Sequence, residues 1–273
     1  MRILVVSDLH ANPAALAAIT EPFDACVCMG DLVEYGPDHG PVFDWVRKHV
    51  TVCVRGNHDH GAAQGVSVQG VSGFRYLTMA TRETTARTLS AADRRFLADL
   101  PTMAMVTLGG LRFLVVHASP RDPLDEYVYP DPAAWEPRLK GFPVDFVCVG
   151  HTHTQYSLPV GRVTVVNPGS VGLSRDGDPR VRYAVIDDGK VELKQVAYDV
   201  DATVAAVGRT DLPLLAKSML TDIYRGGRYV HPPGLPVPVH KAGTYRNGNG
   251  HVNGNGNGHH LSNGLAASAR QSV

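Results

Sequence analysis

The chain has 273 residues, of which 44% are hydrophobic, and its 26 basic residues balance its 26 acidic ones. This composition is typical of a globular protein with one large domain or two small ones, and the absence of net charge disfavours nucleic acid or an anionic membrane as the main partner. No apolar stretch approaches the eighteen or so residues of a membrane span, and the apolar run before Asp8 is too short for the core of a signal peptide. We therefore expect a cytoplasmic protein.

Apolar runs predict eight strands in chain order. Val, Ile and Cys dominate many of them and few alternate with polar residues, which favours sheets that are covered on both faces. The predicted strands are residues 3–6, 25–29, 51–54, 113–117, 145–149, 163–166, 183–187 and 191–198. Residues 156–166 also read as a strand pair, and Asp188-Gly189 is a hairpin turn between the last two strands.

Three helices are predicted between these strands. One begins after Asn12 as N-cap, one covers residues 40–49, and one runs from the cap Ser90 to the stop at Pro101. Helices alternate with strands early in the chain, and strand pairs dominate later. We predict an α/β protein of the α+β type, a four-layer αββα sandwich in which helices flank two mixed β-sheets.

The composition of the chain changes near residue 228. Residues 1–227 carry the strand and helix patterns, whereas residues 228–273 are first Pro-rich and then rich in Asn, Gly and His. So little apolar surface cannot offset the entropy of ordering that segment. We predict one domain over 1–227 and a disordered tail over 228–273.

The four cysteines lie in apolar, strand-like runs, at positions Cys26, Cys28, Cys53 and Cys148. They have neither CxxC spacing nor the density of a disulfide-rich secreted domain. We predict reduced, buried thiols, and we favour this over a cysteine metal site.

Polar residues follow five of the predicted strands where each strand ends. Because ligands bind at the carboxyl ends of strands in open α/β sheets, we expect these side chains to share a site. The motifs are SDLH with Asp8 and His10, GDLVEYG with Asp31, RGNHDHG with Asn57 and His58, FLVVH with His117, and GHTH with His151 and His153.

Imidazole and carboxylate ligands suit Mn²⁺, Fe or Zn²⁺. Two metals about 3.5–4 Å apart need a shared ligand, and a carboxylate that offers one oxygen to each metal is the natural bridge. His151 and His153, two residues apart just past a strand, can face one cavity and bind different metals.

The order of these motifs resembles the calcineurin-like metallophosphoesterase superfamily, over residues 1–198. The segment NPGSVG, residues 167–172, is similar to a loop of the small, stand-alone bacterial phosphodiesterases and phosphatases of this superfamily. The resemblance implies two divalent metals, with Mn²⁺ favoured and Fe, Zn, Ni or Co as alternatives. It assigns Asp8, His10 and His153 to one metal, Asn57, His117 and His151 to the other, and Asp31 to both.

The resemblance also implies the reaction, which is hydrolysis of a phosphate ester by metal-activated hydroxide. His58 is then the catalytic group that stabilises a phosphoryl oxygen or protonates the leaving oxygen. Glu34 stands where many relatives have the aspartate that orients this histidine, and it is longer by one methylene. Asn57, His58 and, as a further candidate, Arg121 are expected to bind substrate. Tyr35 stands where the protein Ser/Thr phosphatases carry an arginine, which weakens that interpretation.

The substrate stays open at this point. We favour a small phosphodiester or phosphomonoester, including a nucleotide, over the alternatives of a dinucleoside polyphosphate or a phosphoprotein. A non-catalytic scaffold on the same fold, as in a retromer subunit that resembles this superfamily, is the alternative of another class, and the complete ligand set argues against it. Segments 61–89 and 121–140 are expected to form the walls of the pocket. Their aromatic residues, which either stack on a substrate base or pack in the core, are Phe74, Tyr76, Tyr127, Tyr129 and Trp135.

Overall fold

The structure is a computed structural model that describes residues 1–232 and 234. Most of the predicted tail, 228–273, lies outside these residues. In the described part, Tyr229 is buried and its ring contacts that of Phe74. The elements in chain order are β1 (Arg2–Val6), α1 (Pro13–Ala17), β2 (Ala25–Cys28), α2 (Gly40–His49), β3 (Val52–Cys53), α3 (Asn57–Gln64), α4 (Gly73–Thr88), α5 (Ala91–Asp99), β4 (Met103–Leu108), β5 (Leu111–Val116), α6 (Pro132–Leu139), β6 (Phe146–Cys148), β7 (Tyr156–Val160), β8 (Val163–Asn167), β9 (Val181–Asp187), β10 (Lys190–Val196), α7 (Val200–Arg209) and α8 (Leu214–Gly226).

Ten strands form two mixed sheets of five strands each. The first sheet has the order β10-β9-β1-β2-β3, with β1, β2 and β3 parallel and β9 antiparallel to both its neighbours. The second has the order β4-β5-β6-β8-β7, with β5, β6 and β8 parallel and the outer strands antiparallel. Each sheet therefore has three neighbouring strands whose carboxyl ends point to the same edge.

The inner faces of the two sheets pack against each other. One buried cluster joins Val5 and Val27 of the first sheet to Val115 and Val166 of the second. Burying a side chain of this size contributes about 1.5–3 kcal/mol to the free energy of folding. The packing fixes the two sheets face to face, so the strand ends of both sheets meet in one place.

Helices cover the outer faces of both sheets. On the first sheet, Phe43 of α2 and Leu97 of α5 pack on Leu4 and Cys26. On the second sheet, Trp135 of α6 packs on Leu114 and is fully buried. The predicted four-layer αββα arrangement is confirmed.

The predicted helix caps occur where the sequence placed them. The Oδ1 of Asn12 accepts a hydrogen bond from Ala15 N–H at the start of α1, and the Oγ of Ser90 accepts one from Asp93 N–H at the start of α5. The four cysteines are free, and Cys53 is half-buried while the other three are buried.

Some elements differ from the sequence-based expectation. Strand β4 and helices α3, α4, α6, α7 and α8 were not predicted, and segment 61–89 is mostly helical. Helix α4 lacks the continuous apolar stripe by which an amphipathic helix is predicted from sequence, because its buried face includes Thr81, Arg82 and Thr85. Within the described residues, each helix is too short or too polar to cross a membrane.

Candidate metal centre

Two clusters of buried carboxylates and imidazoles lie at the ends of parallel strands. Asp8 and His10 follow β1 and meet His153, which follows β6; Asp31, which follows β2, meets His117 and His151, which follow β5 and β6. In each cluster the ligand atoms lie within 4.8 Å of one another. The structure thus brings together six of the seven predicted metal ligands from strands of both sheets.

Asp31 lies between the two clusters. Its Oδ2 is 3.3 Å from Nε2 of His117 and 4.0 Å from Nε2 of His10. Its Oδ1 accepts a hydrogen bond from the backbone N–H of His58, at 2.9 Å. One oxygen is therefore anchored by the start of α3, while the other faces imidazoles of both clusters.

Backbone carbonyls orient three of the imidazoles. The Nδ1 atoms of His10, His117 and His153 donate to the carbonyl oxygens of Val33, Met29 and Leu173, at 3.1, 2.7 and 2.5 Å. A histidine held through Nδ1 presents Nε2 as a ligand atom, which is the usual arrangement around protein-bound metals.

Asn57, the seventh predicted ligand, lies beside the second cluster. It is the first residue of α3, and its Oδ1 is 3.0 Å from Nε2 of His117. The Nε2 of His151 is shielded from solvent and has no hydrogen-bond partner among the described residues. An unsatisfied buried nitrogen is costly, and coordination of a metal would satisfy it.

The backbone at this centre is unusual. Non-glycine residues rarely adopt positive φ, because the Cβ atom then crowds the backbone. Six of the predicted site residues do so, and they are Asp8, His10, Asp31, Glu34, His151 and His153. Such strain is concentrated at functional sites, where the surrounding structure holds it in place.

Two glycines permit close approaches around the site. A Cβ at Gly56 would lie 2.0 Å from Oδ1 of Asp31, and a Cβ at Gly61 would lie 1.9 Å from Nη1 of Arg82. Any side chain at either position would displace these groups. The glycine of the GNHD motif is therefore explained by the position of the Asp31 carboxylate.

Asp59 of the same motif holds the loop that carries Asp31. Its carboxylate accepts hydrogen bonds from the backbone N–H groups of Asp31 and Leu32, both at 2.8 Å, and from that of Gly56, at 3.0 Å. Burial, and then the nearby charge of Asp31, raise the pKa of Asp59 to about 6. The sequence analysis gave this residue no role.

The carboxylates and imidazoles of the two clusters lie so close together in the interior that they shift one another's pKa values. Burial alone would raise the pKa of Asp31, but His117 and His58 outweigh it and hold that pKa well below its usual range. Burial would lower the pKa of His117, yet the carboxylate of Asp31 raises it to about 10. For His151, burial and the neighbouring His117 lower the pKa to about 3.

His58 lies at the edge of the clusters, held by Glu34. The Nδ1 of His58 is 2.6 Å from Oε2 of Glu34, and its Nε2 is 4.0 Å from Oδ2 of Asp31. The other carboxylate oxygen of Glu34 accepts from Nε of Arg82, whose Nη1 donates to the carbonyl of Val66. Glu34 therefore reaches His58 despite the longer side chain, and Arg82, which the sequence analysis did not single out, fixes Glu34.

The charges around His58 favour its protonated form. Burial lowers its pKa, but the carboxylates of Asp31 and Glu34 outweigh this effect, and the pKa is raised above its ordinary value of 6.5. Tyr35 packs against the same region, with its ring centroid 4.8 Å from that of His58 and 4.7 Å from that of His10.

The two arginines near the site are placed differently. Arg121, the candidate from the sequence, is 60% exposed and forms an ion pair with Glu126. Arg175 is half-buried, and its positive charge helps to lower the pKa values of His151 and His153, in each case after burial. Sequence reasoning missed Arg175, although it stands three residues after the NPGSVG loop that drew attention.

Comparison with known proteins agrees with this geometry. Residues 1–189 match the model of the calcineurin-like phosphoesterase superfamily domain. The chain belongs to this superfamily. It is 27% identical over 234 residues to the uncharacterized protein MJ0912 from Methanocaldococcus jannaschii, covering 77% of this chain and 93% of that protein.

Two solved structures share the fold of this superfamily member. The metallophosphoesterase from Sphaerobacter thermophilus has a TM-score of 0.68 and 29% identity, covering 82% of this chain and 99% of its own. The hypothetical protein PH1004 from Pyrococcus horikoshii OT3 has a TM-score of 0.71 and 20% identity, covering 80% and 97%. As a metallophosphoesterase, the protein is a hydrolase of phosphoric esters that uses divalent metal, and the two Asp/His clusters fit that requirement in donor type and number.

Proposed function

We propose that the protein hydrolyses a small phosphodiester or phosphomonoester with two divalent cations, Mn²⁺ being the favoured metal. Asp8, His10 and His153 would hold one cation, and Asn57, His117 and His151 the other. The observation that carries this proposal is the position of Asp31, whose Oδ2 faces imidazoles of both clusters. When bound, the cations supply an activated water and neutralise charge on the phosphoryl oxygens.

His58 would act as the general acid. Glu34 fixes it through Nδ1, so Nε2 is left to face the reacting phosphate. Its raised pKa favours the protonated form that a general acid needs, and a positioned acid of this kind typically contributes 10²–10⁴-fold to the rate. Proton transfer from Nε2 to the leaving oxygen would stabilise the departing alcohol.

A small ester is favoured over a phosphoprotein by the residue at position 35. Tyr35 is buried against His10 and His58 and donates no charge-assisted hydrogen bonds to phosphate. The side chains of both clusters are also buried, which favours a small ester over the surface of a folded protein as the substrate.

The test pairs metal content with activity. Protein stripped by a chelator and reloaded with Mn²⁺ is assayed on aryl phosphodiester and aryl phosphomonoester substrates, beside Asn57→Ala, His58→Ala and the control His49→Ala. We expect about two metals per chain and activity in the wild type. His58→Ala should keep the metals and lose roughly 10²-fold or more in kcat. Asn57→Ala should lose both metal and activity, and His49→Ala should keep both.

The outcomes separate the alternatives. The ratio of diester to monoester turnover in the wild type indicates the substrate class. Absence of bound metal would overturn the proposal and favour a scaffold role on the same fold. A fully active His58→Ala variant would leave the metal chemistry in place and remove the general acid from it.

A further inference from the structure

The side chain of Arg175 carries a positive charge that no carboxylate balances in the described part of the chain. Its acidic neighbours are engaged elsewhere. Asp176 pairs with Arg182 at 2.7 Å, and Asp178 pairs with Arg180 at 2.5 Å. Arginines that are half-buried are normally paired, because an unpaired charge is costly to desolvate. An unpaired one beside a catalytic centre indicates an anionic ligand.

Arg175 is held in place by an aromatic ring. Its guanidinium carbon lies 4.2 Å from the ring centroid of Phe74, within the range of a cation–π contact. Its Nε is shielded from solvent and has no hydrogen-bond partner among the residues that the structure describes. The guanidinium is thus oriented by stacking, and its two Nη groups form no hydrogen bond or ion pair within the described residues, so they are the groups that a ligand would meet.

This arginine lies next to the metal centre. Leu173, two residues earlier, accepts the hydrogen bond from Nδ1 of His153, which ties this segment to a ligand. The ring of Phe74 contacts that of Tyr35 at a centroid distance of 6.0 Å, and Tyr35 contacts His58.

The aromatic ring of Tyr127 lies near His151. The ring centroid of Tyr127 is 4.1 Å from that of His151, and Tyr127 remains 37% exposed. One part of this ring packs on the metal cluster, and the rest faces solvent. Among the other candidate aromatics from the sequence, Trp135 is fully buried in the core and unable to reach a ligand.

We propose that Arg175 and Tyr127 form the subsite that recognises a nucleotide-like phosphate ester. This inference rests on the proposed function. Arg175 binds non-bridging phosphoryl oxygens through its guanidinium fork, and Tyr127 stacks on the aromatic base of the esterified alcohol. The two residues act on different parts of one substrate. Simple alkyl phosphates engage only Arg175.

Equilibrium binding to the Mn²⁺-loaded full chain tests this assignment without turnover. Calorimetry measures the Kd of inorganic phosphate and of adenosine 5′-monophosphate, the latter in a form of the protein made inactive by His58→Ala. Arg175→Ala should weaken both ligands by roughly 10- to 100-fold, the usual effect of losing a charge-assisted hydrogen bond. Tyr127→Leu should weaken the nucleotide by about tenfold and leave phosphate unchanged.

Matched variants keep the result interpretable. Arg175→Lys retains the charge without the fork and should recover part of the phosphate affinity, whereas Arg180→Ala, which removes an exposed arginine nearby, should change neither Kd. Metal content is measured for each variant. An Arg175→Ala protein with two metals and an unchanged phosphate Kd overturns the arginine role, and an unchanged nucleotide Kd in Tyr127→Leu overturns the stacking role.

The proposed function is judged separately. If the wild type hydrolyses aryl esters while Arg175→Ala keeps the wild-type KM, only the subsite is wrong. If the wild type neither hydrolyses esters nor binds phosphate in the presence of Mn²⁺, the proposed function fails and the subsite fails with it.

Discussion

The imidazole of His58 lies between two carboxylates, with Glu34 at Nδ1 and Asp31 near Nε2. A glutamate is one methylene longer than an aspartate, so its carboxylate would overshoot His58 from the same backbone position. Here the backbone of Glu34 is left-handed, at φ 69°, and Arg82 holds its second oxygen. The dyad geometry is therefore set by three residues from three parts of the chain.

The first prediction concerns the carboxylate of Glu34. Glu34→Gln keeps the shape of the side chain but removes the charge that orients and stabilises protonated His58. We expect kcat to fall about tenfold or more while metal content stays at the wild-type value. Steady-state kinetics and metal analysis check this, with the exposed Glu83→Gln as control. An unchanged kcat would show that His58 needs no orienting carboxylate.

The second prediction concerns Arg82, which is buried beside Glu34. Arg82→Met leaves the carboxylate of Glu34 in the interior without its cationic partner, and breaking such a buried pair typically costs about 3–5 kcal/mol. Urea unfolding should show a loss of this order, and the double variant Glu34→Gln with Arg82→Met should recover part of it. The exposed Arg95→Met should shift the free energy of unfolding by less than about 0.5 kcal/mol. Equal losses in the two arginine variants would contradict this account.

At the scale of elements, the site depends on short turns that follow β1, β2 and β6. These turns place Asp8, Asp31 and His151 in the left-handed region of φ. Asp59, in the first turn of α3, ties the second of these turns to the helix through three backbone N–H groups. The strain at one element is thus compensated by hydrogen bonds from another.

The third prediction concerns Gly56, which precedes α3. Gly56→Ala would place a Cβ 2.0 Å from Oδ1 of Asp31, so the shared carboxylate must move. We expect weaker metal binding and a loss of more than about 2 kcal/mol in the free energy of unfolding. Gly208→Ala, at an exposed position of helix α7 with open space around it, should instead stabilise by about 0.5–1 kcal/mol. Calorimetric metal titration and urea unfolding measure the metal affinity and the free energy of unfolding of both variants. The same change in both quantities for the two variants would be evidence against the steric argument.

At the scale of the whole molecule, the two sheets pack so that carboxyl ends of parallel strands from both meet at one centre. The first sheet contributes Asp8, His10 and Asp31, and the second contributes His117 and residues 151–153. Two metals would therefore crosslink the sheets. A ligand that binds only the folded state stabilises that state by mass action.

The fourth prediction follows from this crosslink. Mn²⁺ at about 100 times its Kd should add roughly 2.7 kcal/mol to the free energy of unfolding for each bound cation, which for a domain of this size raises Tm by about 5–10 °C per cation. Chelation should reverse the shift. Asp31→Asn should abolish it, because the shared carboxylate is lost, while Asp44→Asn, at an 83% exposed position, should retain it. Thermal scans with and without metal give the answer, and a metal-dependent shift that survives in Asp31→Asn would contradict the bridging role.

The class of fold, the superfamily and the set of candidate ligands could all be predicted from the amino-acid sequence. Apolar runs reveal buried strands, and polar residues at their ends stand out because each motif is local in the chain. The sequence did not reveal α4, since polar residues interrupt the buried face of that helix, and it gave no role to Arg82, Asp59 or Arg175. These side chains acquire their roles only through partners far away in the chain, such as Glu34 for Arg82 and Phe74 for Arg175. Tertiary structure alone decided these contacts, because pairing and desolvation depend on distances that local spacing does not encode.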